Sequence, residues 1–143
     1  MRFLAILLIA LSMRSAVAGG KVVVIVNAEN PVTELSVPEV RDFFLKRKTQ
    51  WPDGKPVRFV DWEEGTAVRN AFLTEVVRKS ARDLELFWIG EKLYHGNSAP
   101  IKVNSAEMVA AFVSRLAGAI GYVPADASLP SAKVKRIELI EED

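Results

Sequence analysis

The sequence predicts an α/β domain of three layers, with helices flanking a mixed, mostly parallel central sheet. Three observations predict it. Short apolar, β-branched runs alternate along the chain with segments whose apolar residues recur at helical spacing. The first such run, "KVVVIVN" (21–27), is apolar without alternation, as in a strand buried on both faces. Turn and capping signals separate the segments at regular intervals.

The elements follow in order. "AENP" breaks the first strand. "SVPEVRDFFL" starts a helix, with Ser36 as N-cap, Pro38 in the first turn, Glu39 closing a capping box, and Val40, Phe43 and Phe44 as the apolar face. "KRKTQWPDGKP" reads as a basic loop closed by Pro52-Asp53-Gly54. "VRFVDW" alternates Val57, Phe59 and Asp61 against Arg58, Val60 and Trp62, which predicts a second strand. A helix is expected over 66–78. Ser80 caps a further helix, "ARDLELFWIGEKLY", with Leu84, Phe87, Trp88 and Leu93 inward. The loop "HGNSAP" leads to a short strand, "IKVN". Ser105 then caps "SAEMVAAFVSRL", with Met108, Val109 and Phe112 as its core stripe. "GAIGYVP" and the alternating "VKRIELI" complete the sheet.

The first residues, "MRFLAILLIALSMRSAVAGG", have the form of a secretory signal. Arg2 supplies the positive start, "FLAILLIAL" the apolar core, and Ala16-Val17-Ala18 the small-x-small cleavage pattern. The expected organisation is a signal peptide over 1–18 and one domain over 20–143. The competing reading is a retained anchor, although the apolar run is short for a bilayer span. Loss of Arg2 and Arg14 with the signal leaves acidic side chains in slight excess, which argues against a nucleic-acid partner. The chain has no cysteine, which excludes disulfides and thiol chemistry and fits a periplasmic location.

Catalytic candidates are few. The single histidine, His95, lies in a loop with no nucleophile elbow or clustered ligands to join it, so neither an enzyme, a metal site nor a cofactor is predicted. Lys46, Arg47, Lys48, Lys55 and Arg58 surround Trp51, as a solvated loop or a docking patch. The tail Glu141-Glu142-Asp143 reads as solvated. The segment "DWEEGTAVRNAF" (61–72) has the outline of a loop opening a helix, with Gly65-Thr66 at the start. Glu63 and Glu64 either favour the helix dipole or recognise a cation; adjacent residues do not share a helix face, which supports the first reading.

Taken together, several motifs resemble the phosphate-binding proteins of ABC transporters, in the type II periplasmic binding-protein fold. Leu35-Ser36 through Phe44 to Lys46, Lys48 and Trp51 is similar to that family's segment after its Asn-Pro strand end. Gly118-Ala119-Ile120-Gly121-Tyr122-Val123 matches its later "Gly-Ala-Ile-Gly-Tyr-Val" residue for residue. The likeness covers the family's second lobe and its crossing segments, so a single-lobe relative is implied.

The resemblance also implies where an anion would sit. The family's second-lobe loop is like "Arg-Ser-Asp-Gly-Ser-Gly-Thr". Aligned on Gly65-Thr66, its arginine falls on Val60, its aspartate on Trp62 and its last serine on Glu64. The residues implied for a ligand are therefore Glu64, Gly65, Thr66 and Arg69. Arg69, one turn into the helix, either neutralises Glu63 or Glu64 or replaces the lost arginine. Two functions follow as expectations. One is an exported binding or interaction module with an altered anion site, its aromatic residues Trp51, Trp62 and Tyr122 facing a periplasmic protein partner or a second copy. The other is a receptor for phosphate or another small oxyanion, serving transport or sensing.

Overall fold

The computed structural model describes residues 21–129 and 132–141. The signal-like segment and the last two tail residues lie outside it. The apolar run forms β1 (Val22–Asn27), whose residues are buried except half-buried Val23. Asn27 ends it: its side-chain oxygen accepts from the Glu29 amide at 2.9 Å, turning the chain. A three-residue strand, β2 (Glu34–Ser36), follows and leads directly into α1 (Val37–Phe44). The sequence reading missed β2 because Ser36 is both its last residue and the N-cap. The expected capping box is present, with Ser36 Oγ accepting from the Glu39 amide at 3.1 Å.

β3 (Arg58–Trp62), α2 (Ala67–Phe72), α3 (Ala81–His95), β4 (Ile101–Val103), α4 (Ala106–Arg115), β5 (Ala119–Pro124) and β6 (Val134–Ile140) complete the fold. The strands form one sheet in the order β2-β6-β1-β5-β3-β4. β2 with β6, β3 with β4 and β3 with β5 are parallel; β1 is antiparallel to both β5 and β6.

Side-chain direction on β5 assigns the layers. Neighbouring residues on a strand face opposite sides. Tyr122 stacks on Phe72 of α2, rings 3.9 Å apart and 8° from parallel. Gly121 faces Val109 of α4 and Val60 of β3, both within 2.7 Å of where its Cβ would be. α2 and α4 therefore cover opposite faces. Phe44 of α1 meets Phe59, Phe72 and Trp88 edge-on, which places α1 and α3 with α2. This is the three-layer α/β arrangement the sequence predicts.

Three helical expectations need correction. The segment 66–78 is not one α-helix. It runs as α2 and then as a π-type turn, Leu73–Val77, closed by Arg78 in the left-handed region (φ 58°). The wider turn keeps Leu73, Val76 and Val77 all buried. On α3, Leu84 and Trp88 point inward, but Leu93 is 75% exposed. On α4 the buried stripe is Val109, Ala110 and Val113; Met108 faces out.

The basic loop is held from within. Trp51 is buried, donates its indole N–H to the Gly118 carbonyl at 2.9 Å and packs on Phe43 at 4.7 Å. Lys48 lies over the Phe43 ring and Lys46 over Trp88. A Cβ on Gly118 would stand 2.1 Å from the Pro56 carbonyl oxygen, a backbone atom that cannot swing away. Gly118→Ala is thus expected to cost at least the roughly 1–3 kcal/mol of an overpacked core, read as a lower urea midpoint with unchanged m-value. Gly90→Ala, where the added methyl meets nothing within 4 Å, is the control.

Candidate functional site

The predicted ligand loop lies at the C-terminal end of β3, where α/β sheets commonly place their binding sites. Asp61 is the penultimate residue of that strand. Alternation turns it toward the α1–α3 side with Phe59, and at 1% exposure it is among the most buried polar residues. A buried carboxylate needs partners. Oδ1 accepts from the Tyr122 hydroxyl at 2.5 Å and from the Trp62 amide at 2.8 Å. Oδ2 accepts from Arg69 Nε at 3.3 Å. Arg69 is itself only 4% exposed, so this is an ion pair inside the protein.

The partner of Arg69 is therefore Asp61, and neither Glu63 nor Glu64. Glu64 instead pairs with Lys102 of β4, Oε1 to Nζ 3.4 Å, on the outside of the loop. Gly65 makes the turn at φ +81°, a backbone region open to glycine at little cost. Thr66 stands at the N-cap position without capping: its hydroxyl donates to the Glu63 carbonyl at 2.9 Å. The Glu63 amide donates to the Val103 carbonyl at 2.9 Å, tying the loop to β4. Of the four residues implied for a ligand, Glu64, Gly65 and Thr66 stand together in the loop. Arg69 lies beneath it, buried, with its Nε held by Asp61.

The aromatic residues expected to face a partner do not. Trp51, Trp62 and Tyr122 are 5%, 6% and 0% exposed. Trp62 donates its indole N–H to the Tyr122 carbonyl at 2.8 Å, so both rings serve the joint between β3 and β5. Burial, and then the charge of Asp61, push the Tyr122 hydroxyl far above the ordinary tyrosine range. His95 is exposed at the end of α3, with Nδ1 3.2 Å from Glu91 Oε1. Among the described residues no cluster of three His, Cys, Asp or Glu side chains stands ready for a metal ion.

Sequence reasoning missed Asp61 as the centre of this network. The signal was present: a carboxylate at an inward strand position, with an arginine eight residues on and a tyrosine in the "Gly-Tyr-Val" strand.

No family model and no curated protein sequence matches the chain. Solved structures do. An ABC-type phosphate transport receptor from Vibrio cholerae superposes with a TM-score of 0.63 at 20% identity, over 82% of this chain and 45% of the receptor. PstS from Borrelia burgdorferi gives 0.63 at 12% identity, over 82% and 46%. The chain spans less than half the length of either structure, and its fold is that of one part of these receptors.

The buried network yields a prediction. Asp61→Asn leaves the Arg69 guanidinium without its charged partner and is expected to lower stability by about 3–5 kcal/mol. Tyr122→Phe removes one donor from Asp61 and is expected to cost about 1–3 kcal/mol. The tyrosine pKa is raised in the folded state above its ordinary value of 10.0. Its contribution is therefore complete below that pH and lost as pH rises beyond it, by up to about 1.4 kcal/mol per pH unit. Denaturant titrations across this range are expected to show an alkaline decline that Tyr122→Phe flattens.

Proposed function

We propose that this chain is an exported, non-enzymatic binding module of the periplasmic receptor fold, acting through contact with a partner and with its anion loop given up. The observation that carries the reading is the pairing of charges around 63–66. An anion site at a loop of this kind needs a cation aimed at the ligand, ideally a bidentate arginine. Here the nearby arginine is turned inward and neutralised by Asp61. The lysine beside the loop is matched by Glu64, and Glu63 adds an exposed carboxylate with no ion-pair partner among the described residues. An approaching phosphate would meet the Glu63 and Glu64 carboxylates and a guanidinium whose charge is already answered by Asp61.

The partner surface moves with the corrected burial. Leu86, Ile89, Leu93 and Tyr94 are all at least half exposed on α3, and Ile101 is exposed on the edge strand β4. These residues take the role that the sequence assigned to the buried aromatics. A periplasmic protein or a second copy of the chain is the partner class this surface suits.

A second reading, a receptor for phosphate or another small oxyanion in transport or sensing, is favoured by the fold likeness to phosphate receptors. Calorimetric titration of the purified chain with inorganic phosphate, with oligomeric state recorded in the same buffer, decides between them. The expected result is no heat up to millimolar phosphate, with self-association or capture of a partner that Leu93→Asp weakens. Micromolar phosphate binding overturns the proposal and establishes the second reading.

A further inference from the structure

Beside the loop, and bordered by its Glu64, a cavity of about 480 Å³ opens between α3 and the start of β4. Its size is that of a small-molecule site. One continuous face of α3 forms its wall, presenting Trp88, Ile89 and Leu93 at helical spacing. The lining is mostly apolar, yet Arg69 reaches it from below.

Arg69 makes this cavity more than an apolar groove. Its Nε is committed to Asp61, and among the described residues its two terminal amino groups have no acceptor. Arg41 Nη2 is the one side-chain donor among the described residues that is sealed from solvent without a partner. The Arg69 amino groups therefore open into the cavity they line. A guanidinium nine-tenths buried, with Nε held and both Nη groups presented, is set to take a planar two-oxygen acceptor. Two cations flank it: Lys92, whose Nζ is bonded to Ser98 Oγ at 3.1 Å, and Lys102, paired with Glu64. Glu64 and Glu85 also border the cavity and balance the two lysines, so a head group would be held by the donors of Arg69 and not by excess positive charge.

We infer that this cavity binds a small amphipathic carboxylate, its head on the Arg69 amino groups and its apolar body along Trp88, Ile89 and Leu93. Inorganic phosphate fits poorly, because most of the lining would be left against a fully hydrated ion. This goes beyond the partner-binding reading but shares Ile89 and Leu93 with its surface, so the preference for decanoate over decanol, which partner binding does not predict, is the readout that separates the two.

The test is calorimetric titration of the full chain with decanoate, below its micelle concentration, beside decanol and inorganic phosphate. Decanoate is expected to bind, with decanol at least about tenfold weaker for want of the charged head. Leu93→Asp, at an exposed position that leaves the core intact, is expected to weaken decanoate by about tenfold or more. Arg69→Met is expected to erase the preference for decanoate over decanol. Should that variant fail to fold for loss of the Asp61 pair, the decanoate-to-decanol ratio and Leu93→Asp decide alone. Equal binding of the two ligands, indifference to Leu93→Asp, or no binding of decanoate at millimolar concentration overturns the inference.

Discussion

The carboxylate of Asp61 is the constraint around which the C-terminal end of β3 and its neighbours are arranged. It sits inside the sheet–helix interface, where an unpaired charge would be too costly to keep. Its three partners come from three places: the next residue of β3, the hydroxyl of Tyr122 on β5, and the guanidinium of Arg69 on α2. Satisfying one buried group thereby fixes the angle at which α2 leaves the loop and the register in which β3 meets β5. The stack of Tyr122 on Phe72 follows from that placement. So does the bond from Trp62 to the Tyr122 carbonyl.

The architecture was legible in the sequence because apolar patterning and capping carry it. The uninterrupted β1 run, the capping box at Ser36 and the caps at Ser80 and Ser105 each specify an element from local residues alone. What escaped was decided by tertiary contact. Leu93 is apolar and correctly spaced for a core stripe, but only Leu84 and Trp88 of α3 are buried and Leu93 is left exposed. The π-type turn at 73–77 has the composition of an ordinary helix; only its packing keeps Leu73, Val76 and Val77 inward together.

The site was legible in part, for a comparable reason. Glycine at the turn and threonine after it are local features, and both stand where the sequence placed them. The role of Arg69 is not local. Its choice between Glu63, Glu64 and Asp61 depends on which carboxylate the fold buries, and a strand's alternation places Asp61 inside while the loop keeps the glutamates in water. Trp51, Trp62 and Tyr122 mislead in the same way: aromatic residues near a binding edge resemble an interface until their indole and phenol groups are traced to partners in the core.

One ion pair thus has two consequences at the start of the same helix. Asp61 holds the Arg69 guanidinium toward β3, and the proposed loss of an anion site at 63–66 rests on that pairing. The same pair leaves the two remaining amino groups of Arg69 without an acceptor among the described residues, beside a cavity that Arg69 lines. A neutralised arginine attracts a free ion weakly, because its charge is already answered. It still presents two well-placed donors, and donors in an apolar surround favour a ligand that supplies acceptors and fills the remaining space. On that reasoning the proposed preference for an amphipathic carboxylate over a small anion requires no new fold. It requires that the arginine sit one turn into α2 and that the carboxylate facing it lie on β3.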